Sequence, residues 1–331
     1  MGIHPIPIYL FLPRFFLVSL KLQNYNKQIS MPLKNSWVDA SPLSKLIALG
    51  LLMTLSTLLC LGLFYTVNEF TWGYSIHQLS FLNLNTDPEI VWAAKFLQMF
   101  SQLGLFILPA FILAYFISKH PFKELDLNST STFRTIGLVI VITLLAIPFI
   151  NFLAIWNSEI HLPEYLGFME DWMRKMQLKN DILMEVILQM DSQKDIIINI
   201  LMMVILPAVG EELIFRGVIQ KQLIKWLSNP HIAILVTGLF FSAFHMQFAG
   251  FIPRMFMGIM LGYLFVWSRN IWVPILAHFL HNFITIIPVV FMDEAITDAT
   301  PSLDYSLLAI AVTVFSIICY FYCQKRNISH D

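Results

Sequence analysis

The sequence predicts an all-α, polytopic membrane helix bundle of about eight transmembrane helices. Three observations carry that expectation. The 331-residue chain is 57% hydrophobic and only 12% charged, against roughly 25% charged residues in an ordinary soluble domain, and its mean hydropathy is +0.71. Apolar runs of roughly 20 residues, long enough to cross about 30 Å of hydrocarbon, recur along it. Lys and Arg gather in alternate connections between those runs. The formal net charge of -1 provides no basic surplus for nucleic acid and no acidic tail for a cationic partner.

Residues 1–45 form an N-terminal segment. Its apolar stretch at 7–20 carries Pro13 and Arg14 inside it and lacks a small-residue cleavage site, so it does not read as a signal peptide. Met31 opens a polar, basic lead into the first span and offers a second start besides Met1. The integral membrane domain is expected over 46–324. Its spans read as 46–67, 93–117, 135–156, 196–223, 231–246, 253–267, 271–292 and 305–323, with no internal repeat and no soluble domain. The three cysteines, Cys60, Cys319 and Cys323, lie in apolar runs without CxxC spacing and read as buried thiols. Cys319 and Cys323, one helical turn apart near a span end, also suit lipidation.

Connection charges set an orientation, because Lys and Arg accumulate on the cytoplasmic side. Lys34 and Lys45 precede the first span; Lys119, Lys123 and Arg134 join the second to the third; Lys221 and Lys225 join the fourth to the fifth; Arg269 follows the sixth; Lys325 and Arg326 follow the eighth. The alternate connections carry Glu69, Asp87 and Glu89, and then Asp293, Glu294, Asp298 and Asp304. Both termini are therefore expected in the cytoplasm, and the short loops and absence of organellar signals point to a bacterial inner membrane. In the long connection 164–191, Tyr165, Phe168, Met169, Trp172, Met173 and Met176 recur at helical spacing between charged residues. This predicts an amphipathic helix on the membrane surface or capping the bundle.

Ionisable groups inside a span cost at least about 2.5 to 3.5 kcal/mol each, so they persist when paired, facing water, or used. Glu211, Glu212 and Arg216 in the run GEELIFRG need such a reason. Glu212 and Arg216 are four apart and can pair on one helix face, which leaves Glu211 without a local partner. Pro207, one turn earlier, removes a backbone hydrogen bond and frees a carbonyl. The other intramembrane polar residues are His245 in FFSAFH and His278, His281 and Asn282 in AHFLHN. At 1.5 Å per residue, Arg216 and His278 lie about 9 to 10 Å deep, Glu211, Glu212 and Asn282 about 15 to 17 Å, and His245 about 21 Å. Three spans therefore bring polar groups to one layer. A carboxylate and an imidazole converging on water make a nucleophile, and an amide with a second imidazole can stabilise an oxyanion, so the set suits hydrolysis. His281 points about 100° away from Asn282 and reads as packing. His231 and Arg254, at span ends, read as interfacial anchors.

At these residues the chain resembles the CAAX prenyl endopeptidase and bacteriocin-processing family of intramembrane proteases, marked by EExxxR, FxxxH and HxxxN on successive membrane helices. Here they stand as EELIFR at 211–216, FSAFH at 241–245 and HFLHN at 278–282, within a catalytic core of about 196–292. The resemblance implies that Glu211 with His245 activates water, that His278 and Asn282 form the oxyanion site, and that Glu212 and Arg216 support the glutamate. It implies no cofactor and no bound metal, and a peptide or lipid-modified protein substrate among membrane lipids. Family relatives remove the C-terminal tripeptide of prenylated proteins or are linked to bacteriocin maturation. Two other readings stand beside it. A zinc protease would draw on Glu211, His245 and His278, although no HExxH is present. A membrane scaffold or proton-relaying transporter would use the acids without hydrolysis.

Overall fold

The structure is a computed structural model that describes residues 36–190 and 192–291, together with 308, 311 and 312. Ten helices are formed among the described residues: α1 Pro42–Thr71, α2 Ile76–Ser80, α3 Pro88–Ile117, α4 Pro121–Glu124, α5 Phe133–Ser158, α6 Gly167–Ile187, α7 Gln193–Leu227, α8 Pro230–Phe244, α9 Phe251–Ser268 and α10 Trp272–Phe291. Five stretches are long and apolar enough to cross a membrane: α1, α3, α5, α7, and α9 with the 3-10 turn before it. The helices α8 and α10 are shorter apolar helices. This is an all-α membrane bundle. Seven of the eight expected spans have their helix; the eighth, with Cys319 and Cys323, lies outside the described residues apart from three positions, as do Met31 and the connection from Asp293 to Asp304.

Helix starts follow the sequence. Ser41, Ser75, Asp87, Thr132, Ser192 and Asn229 each cap a helix with a side-chain oxygen accepting a backbone N–H, satisfying donors that have no partner within the helix. In α1 the buried stripe Leu49, Ser56, Cys60 and Phe64 faces the bundle, while Leu51, Leu55, Leu58, Leu59 and Leu63 are exposed. A fully exposed leucine face suits hydrocarbon, in which an apolar side chain loses nothing.

The alternation read from charge appears as geometry. At one end, Trp37 N–H donates to Phe116 O, Lys221 pairs with Asp126 at 2.6 Å, Asn270 Nδ2 donates to Ser131 Oγ at 2.8 Å, and Trp272 Nε1 donates to Leu127 O at 3.0 Å. At the other end Lys95 pairs with Asp195 at 3.3 Å and donates to Gln189 O at 3.2 Å, and Asn157 holds the turn after α8. Successive connections therefore cluster at opposite ends of the bundle.

Two prolines shape the interior. Both α3 and α7 widen into a π-turn, Leu103–Ile107 and Leu201–Ile205, just before Pro109 and Pro207. In each the N–H of the following leucine bonds five residues back, Leu108 to Leu103 and Leu206 to Leu201. The next carbonyl in that register would need the N–H that proline lacks. Those orphaned carbonyls are Gly104 and Met202, and each is met by a side chain from a neighbouring helix. Ser56 Oγ donates to Gly104 O, and Gln102 Nε2 donates to Met202 O at 3.1 Å. The freed carbonyl expected from Pro207 is thus real, and it binds α3 rather than the carboxylates.

Candidate active site

Glu211, Glu212 and Arg216 occupy the middle of α7, and a third π-turn, Phe215–Gln220, follows the acids and contains Arg216. Arg216 is fully buried. Its Nη1 donates to Glu212 Oε1 at 2.7 Å and its Nη2 to Gly258 O on α9 at 2.7 Å, with the guanidinium carbon 4.9 Å from the centre of the Phe241 ring. One turn on, Gln220 Nε2 donates to Gly262 O at 3.0 Å. Glycines at 258 and 262 let these side chains reach the α9 backbone: a Cβ at Gly262 would stand 2.9 Å from Gln220 Oε1, and one at Gly258 would stand 3.0 Å from Gly238 Cα on α8.

Glu212 Oε1 also receives His278 Nδ1 of α10 at 2.9 Å. A carboxylate already bound to Arg216 accepts there, so Nδ1 carries the proton and Nε2 is the ring's free atom. His278 Nε2 lies 4.0 Å from Glu211 Oε2. His245, the residue after α8, sets its ring in the same sense: Nδ1 is 2.9 Å from Phe241 O, a carbonyl that only accepts, and Nε2 is 3.8 Å from the same Glu211 oxygen. Glu211 Oε2 is buried and has no hydrogen-bond partner among the described residues. Two imidazoles thus fix their Nδ1 atoms elsewhere and turn Nε2 toward one unpartnered carboxylate oxygen.

The predicted residues divide accordingly. Glu211, Glu212, Arg216, His245 and His278 converge from three helices. Asn282 follows His278 by one turn on α10 and is half-buried, with no hydrogen bond to its carboxamide among the described residues. His281 is half-buried and makes no side-chain hydrogen bond to the acids. Arg254, expected as an interfacial anchor, folds over Gly250 to reach Gln247 O at 3.1 Å and Gln247 Oε1. His231 behaves as expected, exposed at an end and bonded to Tyr263 Oη at 3.0 Å. Sequence reasoning missed Gln220, although Glu212, Arg216 and Gln220 are spaced four apart and announce one polar face. It also missed Gly258 and Gly262, whose GxxxG spacing marks a close helix approach.

Fold and site together define a helical membrane protein with a carboxylate and imidazole cluster drawn from α7, α10 and the end of α8. Residues 193–284, a segment that holds every residue of the cluster, match the model of the family described as type II CAAX prenyl endopeptidase Rce1-like. An uncharacterised protein of Bacillus subtilis (strain 168), YpbD, is 32% identical over 86 residues, which is 25% of this chain and 41% of that protein. The match therefore spans less than half of that relative. No solved structure matches.

Proposed function

We propose that the protein is an intramembrane endopeptidase that hydrolyses a peptide bond of a membrane-associated or lipid-modified substrate, using water activated by Glu211 and His245. The observation that carries this reading is the unpartnered Glu211 Oε2 facing His245 Nε2 at 3.8 Å and His278 Nε2 at 4.0 Å. A water held there by Glu211 and His245 would lose a proton to them as its oxygen attacks the peptide carbonyl carbon. The C–O bond forms, and the carbonyl π pair moves to oxygen. His278, when it carries a proton on Nε2 as well as on Nδ1, and the Asn282 amide would stabilise that oxyanion. Collapse breaks the C–N bond, and the proton taken from water passes to the leaving amine. Products are a carboxylate and an amine.

The spacing favours a shared water over zinc. Bonds of about 2.0 to 2.1 Å in a tetrahedral site would bring donor atoms to about 3.3 Å of each other, closer than the separations found. No group of three His, Cys, Asp or Glu among the described residues is arranged to hold a metal ion. The Lys and Arg asymmetry supports an orientation with both termini in the cytoplasm, and the short connections suit a bacterial plasma membrane. The test is cleavage of a quenched fluorescent peptide bearing a farnesylated cysteine near its C-terminus, by detergent-purified protein returned to liposomes. Time-dependent cleavage by the native protein and none by Glu211→Gln is the expected result; equal cleavage by both removes Glu211 as the base.

A further inference from the structure

The helix α8 has 15 residues and so rises only about 22 Å, short of the roughly 30 Å of hydrocarbon. The chain therefore turns back at 245–250 within the bilayer's depth. Non-helical backbone is tolerated there only when protein or water satisfies it. His245 opens this turn and the left-handed Met246, φ 53°, follows. One side chain from α5 meets the need. Asn157 Nδ2 donates to Phe248 O at 2.8 Å and to Ala249 O at 3.0 Å, and its Oδ1 accepts from Ile252 N–H at 3.0 Å. Ser242 Oγ closes the turn from α8 by donating to Phe251 O, and Arg254 closes it from α9 through Gln247.

We infer that Asn157 is a positioning residue for His245: by holding both N–H groups and one acceptor lone pair against the turn, it fixes where the imidazole meets Glu211. Among the described residues its side chain hydrogen-bonds to the turn and to neither the acids nor the imidazoles. Its effect passes through the backbone from Phe248 to His245, three residues away. Nothing in the EExxxR, FxxxH and HxxxN pattern points to it, and it lies outside the matched segment. The inference rests on the proposed hydrolysis for its kinetic arm only.

The test compares Asn157→Ala and the isosteric Asn157→Asp with the native protein. Both are assayed on the farnesylated peptide per folded molecule, and both are examined by ring-nitrogen NMR of histidine-labelled protein, with the His245 signal assigned by its loss in His245→Gln. The expected result is a fall in kcat of about 10²-fold at nearly unchanged KM, as for a displacement of about 1 Å, together with a shifted or doubled His245 ring signal. An unchanged signal with unchanged kcat overturns the inference. So does failure of both variants to give a folded species, which would leave Asn157 a stability residue. If the native protein cleaves nothing, the proteolytic reading fails, while the ring signals still decide whether Asn157 sets the imidazole.

Discussion

Glu211 and Glu212 are neighbours in sequence with opposite surroundings. Glu212 is wholly buried and binds both Arg216 and His278 through Oε1, its Oε2 making no hydrogen bond among the described residues, whereas Glu211 turns an Oε2 without a hydrogen bond toward two imidazoles. The two acids should therefore answer substitution differently. For Glu211→Gln, folding and membrane accumulation are expected to persist while turnover falls by at least the roughly 10² to 10⁴-fold typical of a lost general base, measured on monodisperse protein. Asn282→Ala should keep slow activity, since a missing oxyanion donor costs roughly 2.7 to 4 kcal/mol of barrier. Arg216→Ala leaves a buried carboxylate without its cation, a loss of about 3 to 5 kcal/mol; low yield and a lowered melting temperature in detergent are expected. Combining it with Glu212→Gln should recover part of that stability, and no recovery would show that the pairing is not what Arg216 supplies. Thorough chelation of divalent metals should leave turnover intact; activity lost on chelation and restored by zinc would favour the metal reading.

Helices here meet where backbone comes near backbone. Gly238 and Gly258 bring α8 and α9 into contact: a Cβ at Gly238 would lie 2.7 Å from Ile259 Cγ1, 3.1 Å from Ile259 N and 3.2 Å from Met255 O. At Gly262 the obstacles are side-chain atoms alone, Gln220 Oε1 at 2.9 Å and Ile234 Cγ2 at 3.0 Å, with no backbone atom among them. Gly238→Ala should therefore lower the melting temperature more than Gly262→Ala, because neither the α9 backbone nor α8 can yield without parting the pair. Thermal unfolding of the two variants in one detergent checks the order. The amphipathic helix α6 leaves Phe168 and Trp172 exposed, with Tyr165 exposed in the 3-10 turn before it, and touches the turn after α8 through Trp172 against Phe248, ring centres 6.0 Å apart. An aromatic face of this kind belongs at the bilayer interface. Trp172 fluorescence should be quenched by lipids brominated near the headgroup and hardly by lipids brominated near the chain end.

Among the described residues the connections alternate between two ends, and the charge asymmetry proposes one of them for the cytoplasm. A cysteine at the exposed Lys123 should be labelled by an impermeant reagent only after permeabilisation, and one at the exposed Asn85 in intact cells. Reversed labelling would invert the bundle and remove the expected cytoplasmic termini. The same arrangement explains the reach of the site: α7, α8 and α10 carry its groups, α9 supplies the carbonyl that holds Arg216, and α5 braces the turn below His245.

Hydropathy and spacing by themselves determined the helical class, the order of the spans and the pairing of Glu212 with Arg216, because apolar length and an i, i+4 interval act along a single helix. The polar layer was legible too, since charges inside spans are costly enough that each one demands a use. Only the tertiary structure decided that Glu211 Oε2, rather than the Oε2 of Glu212 that also lacks a hydrogen bond, faces the imidazoles. Helix rise fixes depth but not rotation, and the π-turns at Leu201–Ile205 and Phe215–Gln220 rotate the face of α7 by an amount no periodic reading anticipates. That rotation takes Glu212 to His278 and Arg216 to Gly258, and leaves Glu211 facing His245. Asn157 escaped the sequence for the same reason: its partners are backbone atoms 91 to 95 residues away, and a carbonyl or N–H left free by a broken helix carries no side-chain signature. Its assignment to Asn157 depends on how α5 packs against the end of α8, which is a property of the assembled bundle.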